Sequence, residues 1–226
     1  MTKMSIEEAL TVAQNHLRAG QFDAADAVAA LVAENAPEEP RALQIRAAVA
    51  FHAGNRAGAK AYIERAIELA PGNALYHCDL AAILAGEGQL DGAEAAWRQA
   101  LAIEPRMVAA EGNLGMLLHS RGRLIEAEQS FRRIVSLEPN DSAAHNNLGN
   151  ILLELKRTAE AEAAYRRALA LAPRAPLIEY NLGRALLGQN RWIDAEAAFQ
   201  RALVLRPEFP EATQGLQEAR SRNNGK

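Results

Sequence analysis

Six prolines, Pro37, Pro71, Pro105, Pro139, Pro173 and Pro207, recur every 34 residues without a slip. The other three of the chain's nine prolines, Pro40, Pro176 and Pro210, each stand three residues after a member of that ladder. Proline inside a helix removes a hydrogen bond and clashes with the preceding turn, at a cost of ~3 kcal/mol, yet it is accommodated at a helix's first position. The ladder prolines therefore close one helix and the three extra prolines open the next. Every proline marks a junction between repeats.

A second column keeps the same period. Ala25, Ala59, Ala93, Ala127, Ala161 and Ala195 are all alanine. Four residues on stand Ala29, Ile63, Trp97, Phe131, Tyr165 and Phe199, and three further on Val32, Ala66, Ala100, Ile134, Ala168 and Ala202. Steps of four and then three place these columns on one face of a helix. An earlier column, Ala13, Ala47, Ala81, Gly115, Gly149 and Gly183, is always small, and Val12, Arg46, Leu80, Leu114, Leu148 and Leu182 precede it. Each repeat thus holds two helices. In the repeat from Ser142 to Ala175 the first helix turns Leu148, Gly149 and Leu152 inward, and the second turns Ala161, Tyr165 and Ala168 inward. The reversal between them falls near Lys156 and Arg157, where other repeats carry Gly20, Gly54, Gly88 and Gly122. Glycine in mid-helix costs ~1 kcal/mol relative to alanine. Its recurrence at 115, 149 and 183 implies a compensating close approach of paired helices. One pair cannot bury its own apolar face, so neighbours must stack into a continuous core.

Composition agrees. Hydrophobic residues make up 49% of the 226-residue chain but aromatics only 5%, and alanine dominates, which suits closely packed helices. With 25 basic and 28 acidic residues, the formal net charge is −3 and there is no Lys/Arg run, so neither nucleic acid nor a membrane surface is an expected partner. Cys78 is the only cysteine, which excludes an intrachain disulfide and suits a reducing compartment. Glu7 and Glu8 interrupt the stretch where a signal peptide needs apolar residues, and no run of about 18 apolar residues spans a membrane. A soluble, cytoplasmic protein is expected.

The small–large–small signature Gly149, Ala161, Tyr165, Ala168, Pro173 resembles the tetratricopeptide repeat. Six units are read: 6–39, 40–73, 74–107, 108–141, 142–175 and 176–209. A capping helix over 210–220 follows, with Ala212, Leu216 and Ala219 turned to the last unit, and then a disordered tail, 221–226. The resemblance implies an all-α α-solenoid of stacked antiparallel helix pairs, a right-handed superhelix formed by one array over 1–226. The sequence departs from the family at the fourth position, where aromatics are common. Ala9, Leu43, His77, Glu111, His145 and Glu179 stand there instead. The first unit is the weakest, and Arg46 sits uneasily in an apolar column, where either its stem snorkels or the groove is irregular.

In that family the first helices line the concave face. Opposite the inward stripe lie Ala143, Asn146, Asn147, Asn150 and Leu153, and one position reads Thr11, Ile45, Asp79, Asn113, Asn147 and Asn181. An amide side chain offers a donor and an acceptor, which is the chemistry needed to grip the backbone of an extended peptide. Asn113, Asn147 and Asn181 resemble the asparagine ladder in the repeat region of O-linked N-acetylglucosamine transferases, where such a ladder holds client peptides. Asn146, Asn150, Tyr180, Arg184 and Met116 surround it as candidate contacts, tyrosine and arginine being favoured interface anchors. The alternative is that these asparagines cap, face water or bond to the neighbouring repeat. The family's two-carboxylate clamp for chaperone C-termini is not expected, because Leu10, Gln14, Asp79 and Gly112 occupy its positions.

Chemistry is not expected either. None of His16, His52, His77, His119 and His145 forms a recognisable ligand motif with a His, Cys or acid at i+3 or i+4, so no metal or other cofactor is predicted. Cys78 is read as groove-facing, without a partner that would make it a nucleophile. The column Trp97, Phe131, Tyr165, Phe199 is read as core. Glu94–Arg98, Glu128–Arg132 and Glu162–Arg166 have helix-supporting spacing and are read as a solvated convex face. The chain is expected to be no enzyme but an adaptor that binds a peptide or partner protein in its groove. The alternatives are a self-associating homo-oligomeric scaffold and a non-catalytic arm acting with an enzyme in trans.

Overall fold

The computed structural model describes residues 4–225, which contain thirteen α-helices and no strand. The first helices of the six pairs are α1 (Ile6–Arg18), α3 (Pro40–His52), α5 (Ala74–Gly86), α7 (Val108–Ser120), α9 (Ser142–Glu154) and α11 (Pro176–Gly188). Their partners are α2 (Phe22–Asn35), α4 (Arg56–Leu69), α6 (Leu90–Ile103), α8 (Leu124–Leu137), α10 (Thr158–Leu171) and α12 (Trp192–Leu205), and α13 (Pro210–Asn224) follows.

Each proline sits where its geometry permits. Pro40, Pro176 and Pro210 are the first residues of α3, α11 and α13. The ladder prolines come directly after helix C-caps, as Pro37 does after Ala36 and Pro173 after Ala172. Inside each pair the reversal is a Schellman turn. At the first, Gly20 N–H bonds to the Leu17 carbonyl and Gln21 N–H to that of His16. The left-handed residue is Gly20, Gly54, Gly88 or Gly122 in four pairs, but Lys156 (φ 63°) and Asn190 (φ 60°) in the last two. A side chain in that conformation opposes its own carbonyl and costs ~1–2 kcal/mol, which Asn tolerates better than Lys.

Two compact units divide the chain, Met1–Ala110 and Glu111–Lys226. In the first, α1 to α6 pack serially, and α1 also touches α3 and α3 touches α5. Its core includes a cluster of Leu10, Ala13, Ala25, Ala29, Val32, Ala42 and Ile45 and another around Ala47, Ile63, Tyr76 and Ile83. Arg46 is accommodated at their edge: its Nε lies 3.0 Å from Asp26 Oδ1 and its guanidinium 4.5 Å from the centre of the Tyr62 ring. In the second unit α8 to α13 pack serially, with α9 against α11 and α11 against α13. A Cβ built on Gly149 would lie 2.6 Å from Tyr165 Cε1, and one on Gly183 2.6 Å from Phe199 Cε1. Carbon atoms pack at about 3.5–4.0 Å, so the glycine column exists because an aromatic ring occupies the space of its missing side chains.

Two expectations need correction. Helix α13 continues through Asn224 instead of ending near 220, because Arg222 pairs with Glu218 one turn back and covers the Trp192 ring at 5.4 Å; Lys226 lies outside the described residues. Nor are Glu128 and Glu162 part of a solvated face. They are only 8% and 5% exposed. Arg157, at the turn of the next pair, holds Glu128 at 2.7 Å, and Arg191 holds Glu162 at 2.7 Å, while Arg132 and Arg166 close on the same carboxylates from within the helix. Each carboxylate therefore ties one second helix to the start of the next. Burial alone would raise the Glu162 carboxyl pKa, but hydrogen bonds from Gln189 and Arg191 and the charges of Arg166 and Arg191 outweigh it and hold it below its ordinary value.

Lys156→Gly is expected to gain about 1 kcal/mol in denaturant unfolding, and Gly122→Ala to lose a similar amount, since open space surrounds the Gly122 Cβ position and only backbone conformation is at stake. Glu162, with a depressed pKa, stabilises the fold above its unfolded value of about 4.5 and loses that contribution as pH falls through the folded value. Glu162→Gln should cost about 1–3 kcal/mol at pH 7 and flatten the acid limb of the stability profile below pH ~4.5.

Candidate functional site

The first-helix face is set by the 34-residue register. Within each unit, a residue on one first helix meets the residue 34 or 35 positions later on the next. Arg41 Nη1 lies 2.6 Å from Glu7 Oε2, Gln44 Nε2 donates to Asp79 Oδ2 at 2.8 Å, and His119 Nε2 lies 2.7 Å from Glu154 Oε1. Asn181 Nδ2 donates to Asn146 Oδ1 at 3.2 Å. Glu7, Arg41 and Glu154 are thus satisfied along the seams between first helices.

The members of the asparagine column are not equivalent. Asn181 is 4% exposed and its amide nitrogen donates to both Asn146 and Asn150 (3.1 Å). Asn150 Oδ1 also accepts from the Tyr165 hydroxyl at 2.8 Å, and burial pushes that phenol well above its ordinary range. These three amides and the tyrosine knit α9 to α10 and α11. Asn147 is half-buried and Asn113 exposed, and the side chain of neither finds a partner among the described residues. The register explains Asn147: Gly112 stands where Gln44 and Asn146 stand in other repeats, and glycine has no side chain to offer.

Of the flanking candidates, Met116 on α7 is 52% exposed. Tyr180 packs sideways against Phe199 and Phe209, with ring centres 5.8 and 5.1 Å away. Arg184 is exposed, its guanidinium 5.8 Å from the Tyr180 ring centre. It borders a recess of 370 Å³ lined also by Leu153, Glu154, Lys156, Thr158 and Gly188. Lys156, Thr158 and Gly188 were not anticipated from sequence. The signal available was the break in the glycine column at Lys156, which puts a long cation at the left-handed turn position, where the other repeats have glycine or asparagine.

The remaining candidates for chemistry have structural employment. His77 Nε2 and His145 Nε2 each lie 3.0 Å from the carbonyl of the ladder proline six residues earlier, Pro71 and Pro139. At the same repeat position Glu111 and Glu179 pair with Arg133 (3.2 Å) and Arg201 (2.9 Å). From the third repeat on, the column that departs from aromatic usage is therefore a set of polar ties at the base of the first helices. Cys78 is buried instead of facing a groove, and burial pushes its thiol pKa up, away from nucleophilic reactivity. Among the described residues, no group of three or more His, Cys, Asp or Glu side chains is placed to hold a metal ion, and no helix is long and apolar enough to cross a membrane.

The two kinds of asparagine should respond differently to truncation. Asn181→Ala removes a buried donor from two acceptors and should cost about 1–3 kcal/mol in thermal or denaturant unfolding. Asn113→Ala should stay within about 0.5 kcal/mol of the parent.

Models of the tetratricopeptide repeat match residues 10–74, 78–142, 126–176 and 152–219. No curated protein matches the chain in sequence. Among solved structures, YrrB, described as a TPR protein with an unusual peptide-binding site, superposes with a TM-score of 0.76 at 18% identity over 84% of this chain and 97% of its own. PilW, a type IV pilus biogenesis factor, gives 0.75 at 16% identity over 93% and 98%. The MamA protein gives 0.70 at 17% identity over 76% and 94%. These likenesses concern the fold, and the repeat models cover most of the sequence: the chain belongs to the tetratricopeptide repeat family.

Proposed function

We propose that the chain is an adaptor that holds an extended segment of another protein on the first-helix face of residues 111–226. The observation that carries this reading is the pair Asn113 and Asn147. Two amides recur one repeat apart on consecutive first helices, and neither is used by the fold. Each offers both a donor and an acceptor, which matches one peptide unit of an extended chain regardless of its side chains. Exposed Met116 supplies an adaptable apolar contact beside Asn113 in sequence. Arg184, at the edge of the recess beside Leu153, supplies a charged one.

Asn181 has a different part here. Its donors are spent, so it orders Asn146 and Asn150 and leaves client contact to the two free amides. The adaptor reading also fits the family, whose members generally serve protein interaction, and YrrB is a fold relative with a described peptide-binding site.

The test is a comparison of client capture by the parent chain and by the Asn113→Ala/Asn147→Ala variant, with partners identified by mass spectrometry. Loss of both amides should weaken the captured partner at least about tenfold, equivalent to ~1.4 kcal/mol, with circular dichroism unchanged. Undiminished capture would move the site away from this face.

A further inference from the structure

We infer that the recess between α3 and α5 is a pocket for the basic side chain, arginine or lysine, of a partner polypeptide. The recess measures 180 Å³ and is lined by Ala47, Ala48, Phe51, His52, Asp79, Ala82 and Ile83. That volume is below the ~300–1,000 Å³ of pockets for whole small-molecule ligands. At ~30 Å³ per water molecule it equals about six waters, which suits one long side chain.

Its walls and its one carboxylate have separate uses. Ala47, Ala82, Ile83 and Phe51 present apolar surface, against which the methylene stem of lysine or arginine lies favourably while its head seeks a charge. Asp79 supplies that charge. One of its oxygens accepts from Gln44 Nε2 at 2.8 Å, and no basic side chain of the described residues pairs with it. On the other first helices Glu7, Glu111, Glu154 and Glu179 all face a basic residue of the chain itself. Glu8 is taken up by the Ser5 capping box, so among the described residues Asp79 is the one first-helix carboxylate held neither by a cation nor by a cap.

The neighbouring cations are already engaged. Arg46 is held by Asp26 and the Tyr62 ring, and Arg56 by the Gly86 carbonyl. His52, the other titratable group in the lining, stacks on Phe22 with ring centres 4.6 Å apart and makes no ion pair with Asp79. A half-buried carboxylate without a counter-charge is a net cost to the fold. Burial pushes the Asp79 carboxyl pKa up, against the hydrogen bond from Gln44, which lowers it. An incoming cation removes that penalty, and the walls exclude water from the pair, so binding discriminates by charge as well as by length. This pocket lies within residues 1–110 and does not depend on the asparagine surface of residues 111–226.

The full-length, isotope-labelled chain should be titrated with N-acetyl-arginine methylamide, its lysine counterpart and the uncharged norleucine counterpart, with amide chemical shifts as the readout. The cationic probes should produce saturable shifts centred on Ala47, Asp79 and Ala82 and should bind at least about tenfold tighter than norleucine. Asp79→Asn keeps an acceptor for Gln44 and should abolish that difference. Equal binding of norleucine, equal binding of cations by the Asp79→Asn variant, or no shift at these residues up to probe solubility would overturn the assignment. If the variant does not fold, the charged-against-uncharged comparison on the parent chain decides alone.

Discussion

The contact on which the rest of the molecule depends is an aromatic ring laid against a residue that has no side chain. Tyr165 fills the space above Gly149, and Phe199 is held between Gly183 and Gly215, with each absent Cβ 2.6 Å from the ring. That contact sets how closely the two helices of a pair approach. It also explains why so few aromatics suffice: in the last four pairs one ring, Trp97, Phe131, Tyr165 or Phe199, is the bulk, in the second Ile63 takes its place, and alanines around it let the backbones close. In the first pair both partners are alanines, Ala13 and Ala29, and the core there relies on Leu10 and Val32 instead.

With interhelix distance set by packing, polar groups are placed by register. Residues about one repeat apart meet on adjacent first helices, and residues about 29 apart meet between a second helix and the next turn, as Glu128 meets Arg157 and Glu162 meets Arg191. A buried carboxylate left alone would destabilise the array, and the turn arginine answers it each time. The ion pairs therefore serve register and continuity between repeats. Function is sought in what this accounting leaves over: two amides in residues 111–226 and one aspartate in residues 1–110.

Much of the architecture was legible because it rests on local rules repeated at a fixed period. Proline at a junction, glycine in a left-handed turn and a small residue opposite a ring are each dictated within a few residues of chain. Their recurrence at 34 turns weak local preferences into a strong reading. The candidate surface was less legible. Asn113, Asn147 and Asn181 share a repeat position and read alike, yet Asn181 is enclosed by Asn146 and Asn150 while Asn147 is opposite Gly112 and finds nothing. Glu162 read as a solvated helix pair, yet Gln189 and Arg191 close over it from the following repeat.

The sequence by itself determined the number of helix pairs, their period, the places where they turn and the faces they bury, since these follow from backbone geometry and nearest-neighbour patterning. Only the tertiary structure decided which polar side chains are spent on the fold and which remain available. Whether an amide or carboxylate is satisfied depends on the group brought within 3 Å from a different repeat. That group's identity varies from one repeat to the next, while the period stays the same.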